Sequence, residues 1–458
     1  MDTKDQLIGM YRTLDRSFGP LRWWPADTPF EVAVGAILTQ NTNWANVQKA
    51  IGRIKPLGGT SGRKRMPGRD RQAAAETAVF VREEILKARF QEERHTFVLK
   101  LNDYAGVIHL HSDYSHDGRA SIREIVEAAR SNGIDFVMLT DHNWLQAKYD
   151  GHERSYDGVH LIIGIEVTPR YNHYIAFGID EPLISCDLAW VFPYEDELDI
   201  SPQFYIDWVR NKGGIGFIAH PDHEGSPRFH VKQFNWNDWS VTGYTGMGIW
   251  DFMTDWQGQL TGFARALLSY YLPAYMLKGP KKETLRRWDE LNRTGKVVGI
   301  GELDNHETIK EMFGFEFRIF PFSKAFRFIR THVLTEASFL EEGERNREIV
   351  LSALKRGRAY VALEYFEETR GFSFVVLDES EAATMGDEFY LDDMAIAQVE
   401  LPQKGKIRLI RNGELFRETV GRELTCGIDE PGIYRVEAYL RRAFRYRPWI
   451  FSNPVYVR

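Results

Sequence analysis

The chain has 458 residues, of which 43% are hydrophobic and 27% are charged. This length predicts two or three domains, and this composition excludes the disordered, collagen-like and membrane-spanning classes. The formal net charge of −7 disfavours nonspecific DNA binding, and the two cysteines, Cys186 and Cys426, are too few for a disulfide framework.

The N-terminal residues are predicted to be helical on both sides of a basic linker. Residues 1–58 form a short α-helical segment in this prediction, and residues 59–103 contain a Gly-rich, basic linker (GTSGRKRMPGRDR) followed by a helix of strong helix formers. No basic segment followed by an apolar run opens the chain, and the apolar stretch at 267–277 is too short to span a bilayer. We therefore expect a cytoplasmic protein with no membrane partner.

Residues 104–368 alternate between predicted strands and helices. An apolar run at 106–110 is followed by a helix with Ser121 as its N-cap, then by Gly133 and a second strand at 134–140. Strand, helix and strand in this order form a βαβ unit, which requires a parallel sheet. Further strands are predicted at 159–165, 174–179, 215–219 and 296–300, and further helices at 204–211 and 282–294. The pattern predicts an α/β fold, a TIM-like βα barrel rather than an open sheet.

Residues 369–458 lose helical periodicity. Short β-rich runs (FSFVVL, IAQVEL, KIRLI and IYRVEAYL) alternate with turn residues. Asn412-Gly413 between KIRLIR and ELFRE predicts a hairpin with a two-residue turn. We predict a small, Ig-like β-sandwich for this region.

Metal-binding residue types recur at the predicted strand ends. They are His109, His111, Asp113, His116, Asp117, Asp141, His142, Glu166, His173, His220, Asp222, Asp304 and His306. A βα barrel gathers its catalytic groups at the carboxyl ends of its strands, and residues two apart in a strand face the same way. Imidazoles with bridging carboxylates suit Zn, Mn or Fe. Burying so many of these groups without a metal would cost several kcal/mol, so the pattern favours a metal centre.

Residues 105–365 resemble the PHP (polymerase and histidinol phosphatase) superfamily. Its motifs are matched in order by HLHSDYSHDG, TDHN, GIEVT, NHYIAFG, AHPD and ELDNH. The resemblance implies a distorted (β/α)7 barrel that holds two or three divalent metals through His109, His111, Asp117, His142, Glu166, His173, His220, Asp304 and His306. The sequence departs from the family pattern at Glu302-Leu303, and His116 beside Asp117 is an alternative ligand. Within the superfamily, the TDHN form and the β-rich tail look most similar to the carbaryl-hydrolase-type (CehA/McbA-like) branch.

This resemblance also implies a reaction. Two closely spaced cations would bridge a water and lower its pKa towards about 7, and the hydroxide would attack phosphorus or an acyl carbon. We predict a metal-dependent hydrolase of a small-molecule substrate, with a phosphate ester favoured. The alternatives are a carboxyl-ester, carbamate or amide hydrolase on the same metals, and a catalytically inactive barrel that acts as a binding module. The sequence does not set the oligomeric state.

Further residues are candidates for catalysis and substrate binding. Asp141, next to the predicted catalytic ligands His142 and Glu166, could orient the nucleophile or act as a base, or else cap a helix or pair with a charge. Arg327, Arg330 and His332 in AFRFIRTH could clamp a substrate phosphate by bidentate hydrogen bonds, or else belong to a solvated helix face.

Residues 1–55 resemble the first helices of the HhH-GPD (endonuclease III-like) DNA glycosylases, especially in WWPADTPFEVAVGAILTQNTNWANVQKAI. The resemblance stops at about Lys55, before the helix-hairpin-helix, the catalytic residues and the four-cysteine cluster of that family. We therefore expect no glycosylase activity. A DNA-repair-associated protein that binds nucleic acid through residues 1–71 is an alternative of another class, and a salt-dependent gel shift that requires those residues would support it.

Overall fold

A computed structural model describes residues 100–183, 200–312, 315–340 and 345–458. The described residues 100–424 and 428–458 belong to the first of two compact units of the chain. The helical segment and basic linker predicted within residues 1–98 lie outside the described residues. In the part that is described, none of the helices has the length and apolar character needed to cross a membrane.

The first unit contains strands and helices throughout. In the described ranges the strands are β1 Asn102–Ile108, β2 Phe136–Leu139, β3 Ser155–Tyr156, β4 Val159–Ile163, β5 Ile165–Val167, β6 Tyr174–Phe177, β7 Ile215–Ile218, β8 Gly246–Asp251, β9 Val298–Glu302, β10 Ile309–Met312, β11 Phe315–Arg318, β12 Ile329–Thr335, β13 Ala359–Leu363, β14 Ser373–Leu377, β15 Ala382–Thr384, β16 Glu388–Phe389, β17 Ala395–Arg411, β18 Glu414–Ile428, β19 Gly432–Arg442, β20 Arg445–Ser452 and β21 Val455–Val457. The helices are α1 Ile122–Ser131, α2 Gln146–Tyr149, α3 Pro202–Asn211, α4 Phe252–Gln257, α5 Phe263–Tyr271, α6 Pro273–Met276, α7 Lys282–Thr294, α8 Phe322–Ala325 and α9 Arg345–Arg356.

The first βαβ unit forms as predicted. The side chain of Ser121 accepts from the backbone of Glu124 while the Glu124 carboxylate accepts from the backbone of Ser121, a capping box that fixes the start of α1. Gly133, at a φ of 65°, adopts the left-handed conformation that ends helices, and β2 then pairs in parallel with β1. The helices predicted at 204–211 and 282–294 are α3 and α7.

Two sheets position the candidate site. In one, β12, β1, β2 and β4 are neighbours, and in the other the order is β5-β6-β7-β8-β9. The strand predicted at 159–165 is divided between them at Gly164, where a Cβ would lie 2.1 Å from the carbonyl oxygen of Ala176. Isolated bridges, Leu110 with Asn305 and His142 with Glu166, connect residues that follow strands of the first sheet with residues at strand ends of the second.

The fold is mixed α/β, but the closed (β/α)7 barrel is not confirmed, because the sheets do not close. The strands are also not all parallel: β6 is antiparallel to both β5 and β7, and β12 is antiparallel to β1. Strands of both sheets nevertheless contribute to one buried apolar cluster, which includes Ile108, Phe136, Ile175, Phe217 and Ile300. The candidate site lies at the strand ends above this core.

The C-terminal strands continue the larger sheet. β20 pairs with β13, so strands β14 to β21 belong to the same hydrogen-bonded sheet as β12 and β1. The predicted hairpin forms between β17 and β18, and Asn412 and Gly413 have φ values of 53° and 87°, as a two-residue turn of this kind requires. The domain boundary at residues 368–369 and the separate sandwich stay predictions.

Candidate metal centre

The predicted ligands converge at one edge of the two sheets. His109 directly follows β1, His142 follows β2, Glu166 lies within β5, and Asp304 follows β9. His173 comes before β6 rather than after it, yet it belongs to the same edge because β6 is antiparallel to its neighbours. The backbone carbonyl of His173 accordingly accepts from the Ala219 amide at 3.0 Å, next to His220.

Glu166 is the centre of this arrangement. Its Oε1 lies 3.0 Å from Nδ1 of His173 and 3.2 Å from Nε2 of His220. Its Oε2 lies 3.2 Å from Nε2 of His109, 3.4 Å from Nε2 of His111 and 3.2 Å from Nδ1 of His142. One buried carboxylate therefore contacts five imidazoles drawn from distant parts of the chain.

Asp117 and Asp304 extend the cluster on either side. Oδ2 of Asp117 lies 3.3 Å from Nε2 of His142 and 3.2 Å from Nε2 of His306. Oδ1 of Asp304 lies 3.4 Å from Nε2 of His109. His116, the alternative ligand, is half exposed and stands 3.9 Å from Asp117, so the geometry favours Asp117 over it.

Three overlapping groups have ligand atoms close enough to share a cation. They are His111 with Asp117, His142 and His306; His109 with His111, Glu166 and Asp304; and Glu166 with His173 and His220. Within each group, all ligand atoms lie within 4.8 Å of one another. These groups contain each of the nine residues predicted to bind metal.

Buried polar atoms in the cluster fit a metal site. Nε2 of His109, Nε2 of His111, Nε2 of His173 and Nδ1 of His220 are buried and form no hydrogen bond. An unsatisfied buried polar atom costs about 1–3 kcal/mol, so several in one place call for a partner. A divalent cation accepts the lone pairs of neutral imidazoles, and the nitrogen and oxygen donor set suits Zn, Mn or Fe.

The pKa values of His111 and Glu166 match those of metal ligands. Against the effect of burial, neighbouring carboxylates raise the pKa values of the four other histidines of the cluster whose pKa is shifted, which are His109, His142, His220 and His306. Burial, together with the nearby His306 and His142, lowers the pKa of His111 to about 3, which keeps this imidazole neutral. Burial alone would raise the pKa of Glu166, but His109 and the other imidazoles outweigh it and hold that pKa well below its ordinary value. Glu166 is therefore ionised and available to bridge cations.

Three of the predicted ligands have a strained backbone conformation. His109, His220 and Asp304 have φ values of 69°, 27° and 48°, although none of them is glycine. Such conformations cost about 1–3 kcal/mol each and persist where the surroundings impose them, often at functional sites. Here they turn three side chains towards Glu166 immediately after their strands end.

The cluster lies at the base of a large cavity. The cavity has a volume of about 880 Å³, and its lining includes Asp117, His142, Glu166, His220 and His306. Trp256 also lines it, whereas Trp236 and Trp250, in the same aromatic stretch, are buried in the core. A small molecule can therefore reach the cluster from solvent.

The family comparison agrees with this geometry. Residues 108–223 match the model of the PHP domain, a stretch that begins at the end of β1 and ends just after His220. Residues 108–223 are a PHP domain.

Two proteins of Methanocaldococcus jannaschii are similar in sequence to parts of the chain. MJ1434, provisionally named a DNA repair glycosylase, is 49% identical over 51 residues, which are 11% of this chain and 23% of that protein. The uncharacterized protein MJ1587 is 23% identical over 125 residues, 25% of this chain and 66% of that protein. The chain thus spans less than two thirds of either relative. The binding of DNA by residues 1–71 stays a prediction.

Two solved structures are distantly similar. One, from Bifidobacterium adolescentis, is provisionally named a metal-dependent phosphoesterase; it is 18% identical with a TM-score of 0.28 and covers 44% of this chain and 88% of its own. The other is an amidohydrolase from Chromobacterium violaceum with bound sulfate, 12% identical with a TM-score of 0.27, covering 47% of this chain and 92% of its own. Likenesses this weak support no further conclusion.

Glu302, which follows the PHP domain in the chain, was not predicted as a site residue. Its side chain is fully buried, with Oε1 3.0 Å from Nδ1 of His109 and Oε2 accepting from the His220 backbone N–H at 2.9 Å. Gly248 makes room for it, because a Cβ there would lie 1.4 Å from Oε2 of Glu302. A carboxylate behind a ligand histidine fixes its tautomer and orientation. The only signal was the departure from the family pattern at this position.

Asp141, in the PHP domain, fixes the position of Ser112 in the loop after β1 by hydrogen bonds. Its Oδ1 accepts from the backbone N–H of Ser112 at 2.7 Å and its Oδ2 from the Ser112 hydroxyl at 2.8 Å, next to His111. Burial raises the pKa of Asp141 to about 6, against the opposing effect of these hydrogen bonds. Asp141 is absent from the residues that line the cavity, and its role as a base or nucleophile-orienting group stays a prediction.

The structure places the residues of the phosphate clamp predicted from AFRFIRTH outside the cavity lining. Arg330 and His332 lie on β12 rather than on a helix, and both are buried. Arg330 donates to the carbonyls of Phe326 and Asn132, while Nδ1 of His332 lies 2.7 Å from Oδ1 of Asp103. The guanidinium of Arg327 lies over the ring of Tyr365. None of the three lines the cavity.

Proposed function

We propose that this chain is a metal-dependent hydrolase of phosphate esters. The observation that carries the proposal is Glu166, a buried carboxylate in contact with five imidazoles, four of which have ring nitrogens that are buried without a hydrogen bond. Two or three divalent ions (Zn, Mn or Fe) bound in this cluster would supply Lewis acidity and an activated water next to the cavity.

The chain's own residues hold and orient this centre. His109, His111, Glu166 and Asp304 would bind one ion, Glu166, His173 and His220 a second, and His111, Asp117, His142 and His306 a third. Glu302 fixes the orientation of His109. The fold that we propose for this site is the distorted (β/α)7 barrel over residues 104–368, in which the two sheets meet through the isolated bridges.

The charge at the cavity supports an anionic substrate. Beyond the metal cluster, three exposed cations, Arg228, Lys232 and Lys310, and one exposed carboxylate, Glu311, line the cavity. Positive side chains around a cleft raise the local concentration of anions and steer them inwards. An anionic phosphate ester is electrostatically more complementary to these positive side chains than a neutral carboxyl ester, carbamate or amide.

A substrate panel tests the proposal. The protein is loaded with Zn, Mn or Fe and assayed with 4-nitrophenyl phosphate, bis(4-nitrophenyl) phosphate and 4-nitrophenyl acetate. We expect hydrolysis of a phosphate ester, and none by the His109→Ala/His111→Ala variant. Hydrolysis of the acetate alone would replace the phosphoesterase proposal by the carboxyl-ester alternative, and metal-loaded protein without any activity would favour a binding module.

A further inference from the structure

Part of the cavity lining forms an apolar surface that begins beside the metal cluster. The ring of Phe234 lies 5.0 Å from the ring of His173, so the apolar lining begins at a predicted ligand. Met253, Trp256 and Leu260 are buried and continue the lining, with Ile319 on the same cavity. A substrate whose ester group reaches the cluster therefore has an apolar surface beside it for its remaining atoms.

Helix α5 extends this apolar surface to the outside of the molecule. Phe263 and Leu267 line the cavity, yet 51% and 45% of their surface is exposed. They are four residues apart, so they stand one above the other on the same face of the helix. Leu268, Tyr271 and Leu272, next to this row, are 47%, 61% and 46% exposed.

Such an arrangement is unusual for a surface with no ligand. A contiguous exposed apolar patch commonly marks a binding site, and this one is continuous with a cavity that ends at the metal cluster. The exposed Arg228 and Lys232 line the same cavity, so the opening combines apolar surface with positive charge. An amphiphile with an anionic head complements both features.

We propose that the substrate is a phosphate ester with an extended apolar group. Its phosphate reaches the metal cluster. Its apolar group lies first along Phe234 and Trp256 and then along Phe263 and Leu267 of α5. The substrate class rests on the proposed function, whereas the apolar binding surface does not. In the reaction, water adds its oxygen to phosphorus and one P–O ester bond breaks. One hydrogen of the water stays on the phosphate product and the other goes to the released alcohol.

A chain-length series tests the inference. The metal-loaded protein is assayed with 4-nitrophenyl ethyl, hexyl and decyl phosphates as monomers in solution, and in parallel with 4-nitrophenyl acetate, hexanoate and decanoate. Each fully buried methylene is expected to raise kcat/KM roughly fourfold, from about 0.8 kcal/mol per CH2. Because the walls are partly exposed, we expect a gain of about tenfold or more from ethyl to hexyl.

Two matched variants locate the binding surface. Phe263→Ser should reduce the hexyl-to-ethyl ratio of kcat/KM several-fold, because it removes an apolar side chain from the cavity opening. Phe204→Ser removes an equally exposed phenylalanine (58%) from α3, outside the cavity lining, and should leave the ratio unchanged.

The outcomes separate the two proposals. A length preference seen with carboxyl esters alone would support the apolar surface and refute the phosphoesterase. A ratio that stays within twofold of one in whichever class is hydrolysed, or an equal effect of both variants, would overturn the inference. If neither class of ester is hydrolysed, the dissociation constants of ethylphosphonate and hexylphosphonate for the metal-loaded protein are compared instead. A ratio of these two constants within twofold of one would overturn the inference.

Discussion

Replacing Glu302 by glutamine tests whether a buried carboxylate sets the metal affinity of the cluster. A carboxylate can only accept hydrogen bonds, so its contact with Nδ1 of His109 at 3.0 Å places the proton there and leaves the Nε2 lone pair directed towards Glu166 and Asp304. In the Glu302→Gln variant the amide must still accept from the His220 N–H, which turns its NH2 group towards Nδ1 of His109. Two donors then face each other.

The expected loss follows from this conflict. His109 must rotate or move its proton to Nε2, and either change removes it as a ligand in its present orientation. Loss of such a supporting carboxylate typically lowers metal affinity about 10–100-fold, which corresponds to about 1.4–2.7 kcal/mol of binding free energy. We expect this loss in a competition titration with a chromophoric chelator, for the most tightly bound ion that involves His109.

The control is a carboxylate of similar burial outside the cluster. Glu437 is buried and accepts from Arg435 at 2.9 Å and from Arg408 at 2.8 Å. Glu437→Gln should lower the free energy of unfolding by about 1–3 kcal/mol and leave metal affinity unchanged. Equal metal affinity in Glu302→Gln and the unchanged protein would refute the reasoning, and so would an equal loss in both variants.

Three other predictions concern the same unit. Gly248→Ala should reproduce the metal-affinity loss of the Glu302 variant, measured in the same titration, because the new Cβ would lie 1.4 Å from that carboxylate; unchanged affinity would contradict this. Asp117→Ala should lower the metal content by about one ion per chain, because Asp117 belongs to one ligand group. Glu166→Ala should lower the metal content by more, because Glu166 belongs to two groups, and elemental analysis measures both losses. Asp289→Ala should destabilise the fold by about 3–5 kcal/mol in denaturant unfolding, because Asp289 pairs with buried Arg435 at 2.6 and 2.8 Å; a loss below about 1 kcal/mol would refute this.

The elements around the first ligands could be predicted because their signals are local. The start of α1 is predicted by the capping residues Ser121 and Glu124, and its end by Gly133. The order strand, helix, strand then predicts that β1 and β2 are parallel neighbours. Strand ends of parallel neighbours meet at one edge, which is why the convergence of His109 and His142 could be anticipated from their positions in the sequence.

Strand direction and long-range packing could not be predicted in this way. Nothing local distinguishes an antiparallel β6 from a parallel one, so the sequence could not predict that His173, which comes before its strand, lies at the same edge as ligands that follow theirs. Arg327 and Arg330, three residues apart, have a spacing that suits a helix face. Pairing with β1 and β13 instead makes the segment from Ile329 onwards a buried strand. The role of Glu302 depends on close approach to Gly248, which is 54 positions away in the sequence and leaves no local signal.

The central claim is that side chains from separate strand ends bind divalent metal around Glu166. Elemental analysis of the purified chain beside the His109→Ala/His111→Ala variant measures this directly. We expect two or three divalent ions per chain, as the three ligand groups allow, and a marked loss in a variant that remains folded. A folded, unmodified chain that binds no divalent ion when supplied with Zn, Mn and Fe would contradict the account.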